Sequence, residues 1–257
     1  MEGGPLVDRG FLQDVAYATS AKLRDRMAIY RYRESPGRIG PWVLGHVDWP
    51  AGARVLDVGC GPGQYLALLR EHEQVVAVGV DLSLGMCREA SEHAPAVNSD
   101  ATVLPFADAT FSRVLAPHML YHCNDIDATV HELRRVLEVG GALLAVVNSI
   151  DHMVELREIH RSVTGADGLR VSDRITLETG AALATGAFEH VTIHRFASVL
   201  RVPEPAPVVA YIASMEGWEA DRDPAEAASE IEQRVAEEIR ANGSFAIHTC
   251  AGVLLCR

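Results

Sequence analysis

Residues 53–63 read Ala-Arg-Val-Leu-Asp-Val-Gly-Cys-Gly-Pro-Gly: an apolar run that passes through an acid into three glycines at alternate positions. Glycine removes the Cβ and opens positive φ, so such a turn can bring its backbone against a ligand. With a strand before it and a helix after it, the turn also carries the free N–H groups of the helix start. That arrangement belongs to the C-terminal edge of a parallel α/β sheet, where ligands bind. The chain downstream keeps the same rhythm. Apolar runs at 75–80, 96–99, 113–118 and 142–148 alternate with helical spacing over 63–73, 83–93 and 125–137, and Gly140-Gly141 is expected to stop the last of these helices. Continuous apolar strands separated by helices predict a parallel sheet covered on both faces.

The flanks differ. Residues 8–32 have helical spacing that ends at Ser35-Pro36-Gly37. After residue 150, helices are expected over 151–163, 173–185, 208–215 and 223–241, and long strands at 190–202 and 244–256. The two strands are expected to pair antiparallel at a sheet edge, which leaves 203–242 as a long insertion with structure of its own. With 48% apolar and 23% charged residues, the 257-residue chain is globular rather than disordered. A net charge of −12 argues against a broad footprint on nucleic acid or an anionic membrane. No apolar run approaches the ~20 residues of a membrane span, and residues 1–14 lack the pattern of a secretory leader, so a cytoplasmic location is expected. Five scattered cysteines without a CxxC argue against a disulfide framework or a zinc site, and no metal is expected. Lys22 is the single lysine among 23 basic residues, a compositional bias that deprives most arginines of special meaning.

A dinucleotide loop needs G-x-G-x-x-G. Here the glycines stand at 59, 61 and 63, and position 64 is Gln. Asp57 is poorly placed for a pyrophosphate and well placed for a cationic amino group. The run Asp57-Val58-Gly59-Cys60-Gly61-Pro62-Gly63 resembles the first motif of class I S-adenosylmethionine-dependent methyltransferases, closest to the ubiquinone/menaquinone-type branch of small-molecule enzymes. The likeness continues through Asp81-Leu82-Ser83 to Met86, through Asp100-Ala101, and through 104–114 and 132–141; Tyr17–Arg26 is similar to a cofactor-covering segment.

The resemblance implies a Rossmann-like, seven-stranded, mostly parallel sheet with helices on both faces and an antiparallel edge strand. It implies a helical cap in residues 1–52 and a methyltransferase domain in 53–257, with the insertion 203–242 as a lid over the acceptor. S-adenosylmethionine would be the cofactor and S-adenosylhomocysteine the product. Tyr17 would help to cover the cofactor, Asp57, Gly59, Cys60, Gly61 and Gly63 would hold the amino-acid tail, Asp81 the ribose, Leu82 and Met86 the adenine faces, and Asp100 and Ala101 the adenine amino group. Pro117 would touch the cofactor. His118, His122 and His152 are the base candidates, because histidine titrates near neutrality; each also has a structural reading. Residues 116–119 are Ala-Pro-His-Met, without the polar side chain that relatives use on nucleobase or amide nitrogens. A small-molecule acceptor follows, with O-methylation slightly favoured, plausibly in secondary-metabolite or antibiotic biosynthesis, by a monomer or homodimer. The competing readings are a methyltransferase fold that binds the cofactor without transfer, as a cyclase or decarboxylase, and a nicotinamide oxidoreductase, which Gln64 and Asp57 disfavour. Arg31, Arg33, Arg157 and Arg161 can hold a carboxylate or phosphate or form a solvated face. Tyr30, Tyr32 and Trp218 can line a pocket or the core.

Overall fold

The computed structural model describes residues 21–35, 37–72, 74–166, 171–215 and 217–257. Seven strands, β1 (Arg54–Val58), β2 (Val76–Asp81), β3 (Ala96–Asn98), β4 (Phe111–Pro117), β5 (Leu137–Asn148), β6 (Val191–Val202) and β7 (Phe245–Cys256), form one sheet in the order β3-β2-β1-β4-β5-β7-β6. The first five are parallel. Val55, Leu56, Val58, Val114, Leu115 and Ala116 are all buried, as a sheet covered on both faces requires. The helices over it include α1 (Ala21–Ala28), α2 (Ile39–Leu44), α3 (Gln64–Leu69), α4 (Leu84–Ala90), α5 (Ile126–Val136), α6 (Val154–Thr164), α7 (Leu177–Ala184), α8 (Ala206–Ala213) and α9 (Pro224–Asn242). This is the expected Rossmann-like architecture. The reversed strand is β7, antiparallel to both β5 and β6, so the outermost strand β6 runs with the parallel set.

Two expectations need correction. Gly140-Gly141 does not stop a helix. α5 ends at Val136, β5 begins at Leu137, and both glycines lie inside the strand. Leu137 pairs with Phe111, the register then shifts, and Gly140 takes φ +76°, so the pair forms an irregularity that re-aims the strand. The N-terminal helix is, in its described part, α1 followed by a 3-10 turn over Ile29–Tyr32. Arg33 and Glu34 then lie along the outer edge of β6, where Arg33 bridges Leu200 and Glu34 donates its N–H to Val199.

The feature that builds the site is an overhang. β7 pairs with β6 along its whole length, from Phe245↔Val202 to Cys256↔Val191, but with β5 only from Ala251 to Cys256. Residues 245–250 and 197–202 therefore run past the end of β5 as a two-stranded ribbon, ~20 Å long at the usual rise per residue. One face of the ribbon buries Leu200, Val202, Phe245 and Ile247 against Leu156 of α6, Ile212 of α8 and Ile231 and Val235 of α9. That is a hydrophobic core separate from the two on the faces of the main sheet.

Beyond β5 the edge of β7 has no strand partner, and the loop after β5 supplies one. Ser149 N–H donates to the Cys250 carbonyl, the Cys250 N–H donates to the His152 ring, Met153 N–H donates to the His248 carbonyl, and Glu155 accepts the His248 N–H. Among the described residues no helix is long and apolar enough to cross a membrane. Ile247→Ala empties the ribbon core and is expected to lower the unfolding free energy by about 2–5 kcal/mol in urea titration.

Candidate active site

A cavity of about 1020 Å³ opens along the C-terminal ends of the parallel strands and continues beneath the ribbon, α6 and α8. It has two halves.

The first half is built on the glycine loop. Gly59, Gly61 and Gly63 have φ of +66°, +52° and +88°, conformations that side chains avoid. A Cβ on Gly59 would lie 2.5 Å from Met119, whereas one on Gly61 would meet nothing within 4 Å, because that residue faces the cavity. Asp81 ties the loop to the end of β2: Gly61 N–H donates to Oδ2 and Ser83 N–H to Oδ1, both at 2.8 Å. The Ser83 hydroxyl accepts from Met86 N–H and caps α4. Asp100 takes both the N–H and the hydroxyl of Thr102 on one oxygen, at 2.7 and 2.8 Å, which fixes the turn after β3.

Asp57 is fully buried, and neither carboxylate oxygen has a hydrogen-bond partner. Burial, reinforced by the charge of Asp81, holds its pKa well above the ordinary carboxylate value. An orphaned carboxylate of this kind calls for a donor or a cation from outside the protein.

The second half holds the histidines. His118 follows β4 at φ +56°, with its N–H on the Val146 carbonyl; burial pushes its ring pKa down to about 4. His152 is buried and pushed down to about 3, by burial and then by the neighbouring His118. Its Nδ1 lies 3.1 Å from the Cys250 amide nitrogen, and its Nε2 lies 3.2 Å from the Tyr30 hydroxyl. His122 packs edge-on against Tyr121, with ring centroids 4.7 Å apart.

Of the residues expected at the site, Gly59, Cys60, Gly61, Asp81, Leu82, Met86, Asp100, Ala101, Pro117, His118, His122 and His152 all line this one cavity. Asp57 and Gly63 do not. Asp57 lies beneath the loop. A Cβ on Gly63 would meet His93 at 2.9 Å and the Ala90 Cα at 3.0 Å, so that glycine serves the packing of α3 on α4. Tyr17 lies outside the described residues.

Arg33 and Arg157 line the cavity, and Arg161 does not. Arg31, also on its wall, pairs with Glu204 at 3.7 Å. Trp218 belongs to the ribbon core, and Tyr32 donates to Glu204. His160 of α6 is buried with its Nε2 on the Trp218 carbonyl. Tyr121, Phe196, Tyr211 and Thr249 also line the cavity and were not singled out in the sequence, where no spacing distinguishes them from core residues.

Residues 56–145 match the family model of the methyltransferase domain. The chain carries a class I S-adenosylmethionine-dependent methyltransferase domain. It is 34% identical over 113 residues to malonyl-[acyl-carrier protein] O-methyltransferase of Legionella pneumophila, covering 40% of this chain and 39% of that one. It is 37% identical over 100 residues to demethylmenaquinone methyltransferase of Roseiflexus castenholzii, covering 37% and 42%. The chain thus spans less than half the length of these relatives. Among solved structures, the [4+2]-cyclase SpnF shares the fold with a TM-score of 0.54 and 18% identity, over 94% of this chain and 95% of that one.

S-adenosylmethionine is the cofactor that this domain implies, and the methyltransferase site fits it. The glycine loop offers backbone without side chains, Asp81 lies beside it on the cavity wall, and the Asp57 carboxyl beneath it lacks a partner that a cationic amino-acid tail would supply.

The raised Asp57 pKa means that its contribution to stability is complete below about pH 4 and is lost as the pH rises through the folded-state value. Asp57→Asn removes that loss. In the ligand-free protein its gain in Tm over the parent is expected to grow between pH 4 and 8 by calorimetry, while S-adenosylhomocysteine binds at least ~10-fold more weakly, about 1.4 kcal/mol.

Proposed function

We propose that this protein is an S-adenosylmethionine-dependent methyltransferase acting on a small-molecule acceptor, with O-methylation favoured, in the biosynthesis of a specialised metabolite. The observation that carries this reading is the continuity of one cavity from the acidic glycine loop to the histidine end. Its volume is at the upper end of the usual ~300–1,000 Å³ range of ligand sites, so it leaves room for a second molecule.

The residues divide between the halves. Gly59, Cys60 and Gly61 would present backbone to the amino-acid tail, with the charge of Asp57 beneath them. Asp81 would accept from the ribose hydroxyls. Leu82 and Met86 would flank the adenine, and Asp100 and Ala101 would meet its amino group. The bound cofactor supplies a methyl group on a sulfonium, which is already a good leaving group. Alignment of the acceptor therefore supplies most of the acceleration. Pro117 and His118, at the end of β4, would form the floor where the two molecules meet.

His118 is uncharged at neutral pH and can orient an acceptor proton. With its pKa near 4 it is a weak base. Residues 1–52 and the insertion 203–242 would act as the cap and lid that exclude water; Tyr30 of the former and Tyr211 and Met215 of the latter line the acceptor half.

Isothermal titration should show S-adenosylhomocysteine binding, and turnover with candidate acceptors should raise product mass by one methylene unit. A folded protein that does not bind S-adenosylhomocysteine overturns the reading; turnover without a mass change would instead assign a role in which the cofactor is held but not consumed. Because His118 and His152 stay neutral, kcat/KM is expected to show no histidine limb between about pH 5 and 8. A limb that disappears in His118→Asn would refute the weak-base role.

A further inference from the structure

Tyr30 and Arg33 come from the N-terminal segment and meet His152 in the acceptor half of the cavity. The proton on His152 can be placed by accounting for the groups around it. The His152 Nδ1 lies 3.1 Å from the Cys250 carbonyl oxygen as well as from its amide nitrogen, but that carbonyl already accepts from Ser149 N–H at 2.9 Å and is satisfied without a proton on Nδ1. The Cys250 N–H points past the end of β5 and meets the His152 Nδ1 at 3.1 Å. A proton on Nδ1 would face that N–H and orphan it, at a cost of about 1–3 kcal/mol. Nδ1 is therefore the acceptor, standing in for the carbonyl that β5 no longer provides, and Nε2 carries the proton. Nε2–H then donates to the Tyr30 oxygen, and the Tyr30 O–H is left to donate elsewhere. His152 is thus a positioning residue, and its lone pair is unavailable for base catalysis.

The Arg33 guanidinium lies between two rings, 5.0 Å from the centroid of Tyr30 and 4.9 Å from that of Phe196. Its Nη1 donates to the Gly37 carbonyl at 3.1 Å, and its Nε is buried without a partner. The backbone of Arg33 is bridged to β6, four strand intervals or roughly 19 Å from β1 and the glycine loop. This cation therefore belongs to the far half of the cavity. Arg157 also lines the cavity, but its Nη1 and Nη2 donate to the His152 and Ile150 carbonyls at 2.7 and 2.6 Å. The Arg33 N–H and the Tyr30 hydroxyl remain as two donors side by side, which match the two oxygens of a carboxylate.

We propose that Arg33 and Tyr30 form a carboxylate subsite, so that the acceptor is a small molecule with an aromatic or aliphatic body and one carboxylate by which it is held. This rests on the methyltransferase reading for the word acceptor, but not for the anion site itself. The rings of Phe196 and Tyr211 and the side chain of Met215 supply the apolar walls for the body.

The test uses benzoate and octanoate, with benzamide and octanamide as neutral partners, titrated calorimetrically into the full chain with and without saturating S-adenosylhomocysteine. The carboxylates are expected to bind at least ~10-fold more tightly than the amides. Arg33→Met should abolish that preference, Arg33→Lys should keep part of it, and Tyr30→Phe should reduce it. All three variants should bind S-adenosylhomocysteine as the parent does. Nitrogen-15 spectra of His152 should show Nδ1 unprotonated and Nε2 protonated across about pH 5–8.

Equal binding of acids and amides, no binding of either acid, or a proton on Nδ1 would overturn the proposal. So would loss of S-adenosylhomocysteine affinity in Arg33→Met, which would assign the guanidinium to the cofactor's own carboxylate. Failure of the parent to bind S-adenosylhomocysteine while still preferring the acids would sink the methyltransferase reading and leave the anion subsite standing.

Discussion

A carboxylate buried without a donor is the constraint around which this molecule is arranged. Asp57 sits next to the C-terminal end of β1, between Leu56 and Val58, where a packed sheet would ordinarily place an aliphatic residue. Its charge is opposed by burial and by Asp81 alike. Asp81 itself is made tolerable by the Gly61 and Ser83 amides, and those two bonds hold the glycine loop open against the end of β2. The loop is therefore shaped in advance by one acid and left electrostatically incomplete by the other. Cofactor binding would complete it, which is a physical reason for an enzyme to keep a destabilising residue in its core.

The histidine half depends on a different device. A strand that outruns its neighbour exposes unpaired backbone, and the chain closes that edge with the residues that come next. Ser149, His152, Met153 and Glu155 each satisfy one group of β7. The same stitching turns α6 under the ribbon, where Leu156 enters the cap core. Tyr30 reaches His152 because Ile29 is buried in that core and Arg33 is bridged to β6. The polar cluster in the cavity is thus a by-product of completing a sheet, recruited to face a ligand.

The glycine-loop half of the cavity was legible in the sequence because its signals are local. The Asp57–Gly63 run, the acid at the end of β2 and the turn after β3 each lie within a few residues of the strand that positions them, and the cavity gathers nearly all of them. Where the reading failed, the decisive contact was distant. Gly63 looks like its two loop neighbours, but Ala90 and His93 of another segment decide its role. Gly140-Gly141 resembles a helix stop because glycine commonly is one, yet the pairing of Leu137 with Phe111 draws the strand back across it. His152 lines the cavity, but nothing near it in the chain announces its contact with the Cys250 amide 98 residues away. The partner of the buried His160, the Trp218 carbonyl, is equally remote.

The ribbon's separate core has a consequence for how such a chain can change. Ribbon, α8 and α9 share their apolar contacts mainly with one another, and the matched family region, 56–145, stops short of all of them. Alterations in the cap can therefore accumulate while the nucleoside half stays as it is. The scaffold is built like a socket with an exchangeable adapter: one half would hold a fixed reagent, and the other would be at liberty to drift toward new molecules.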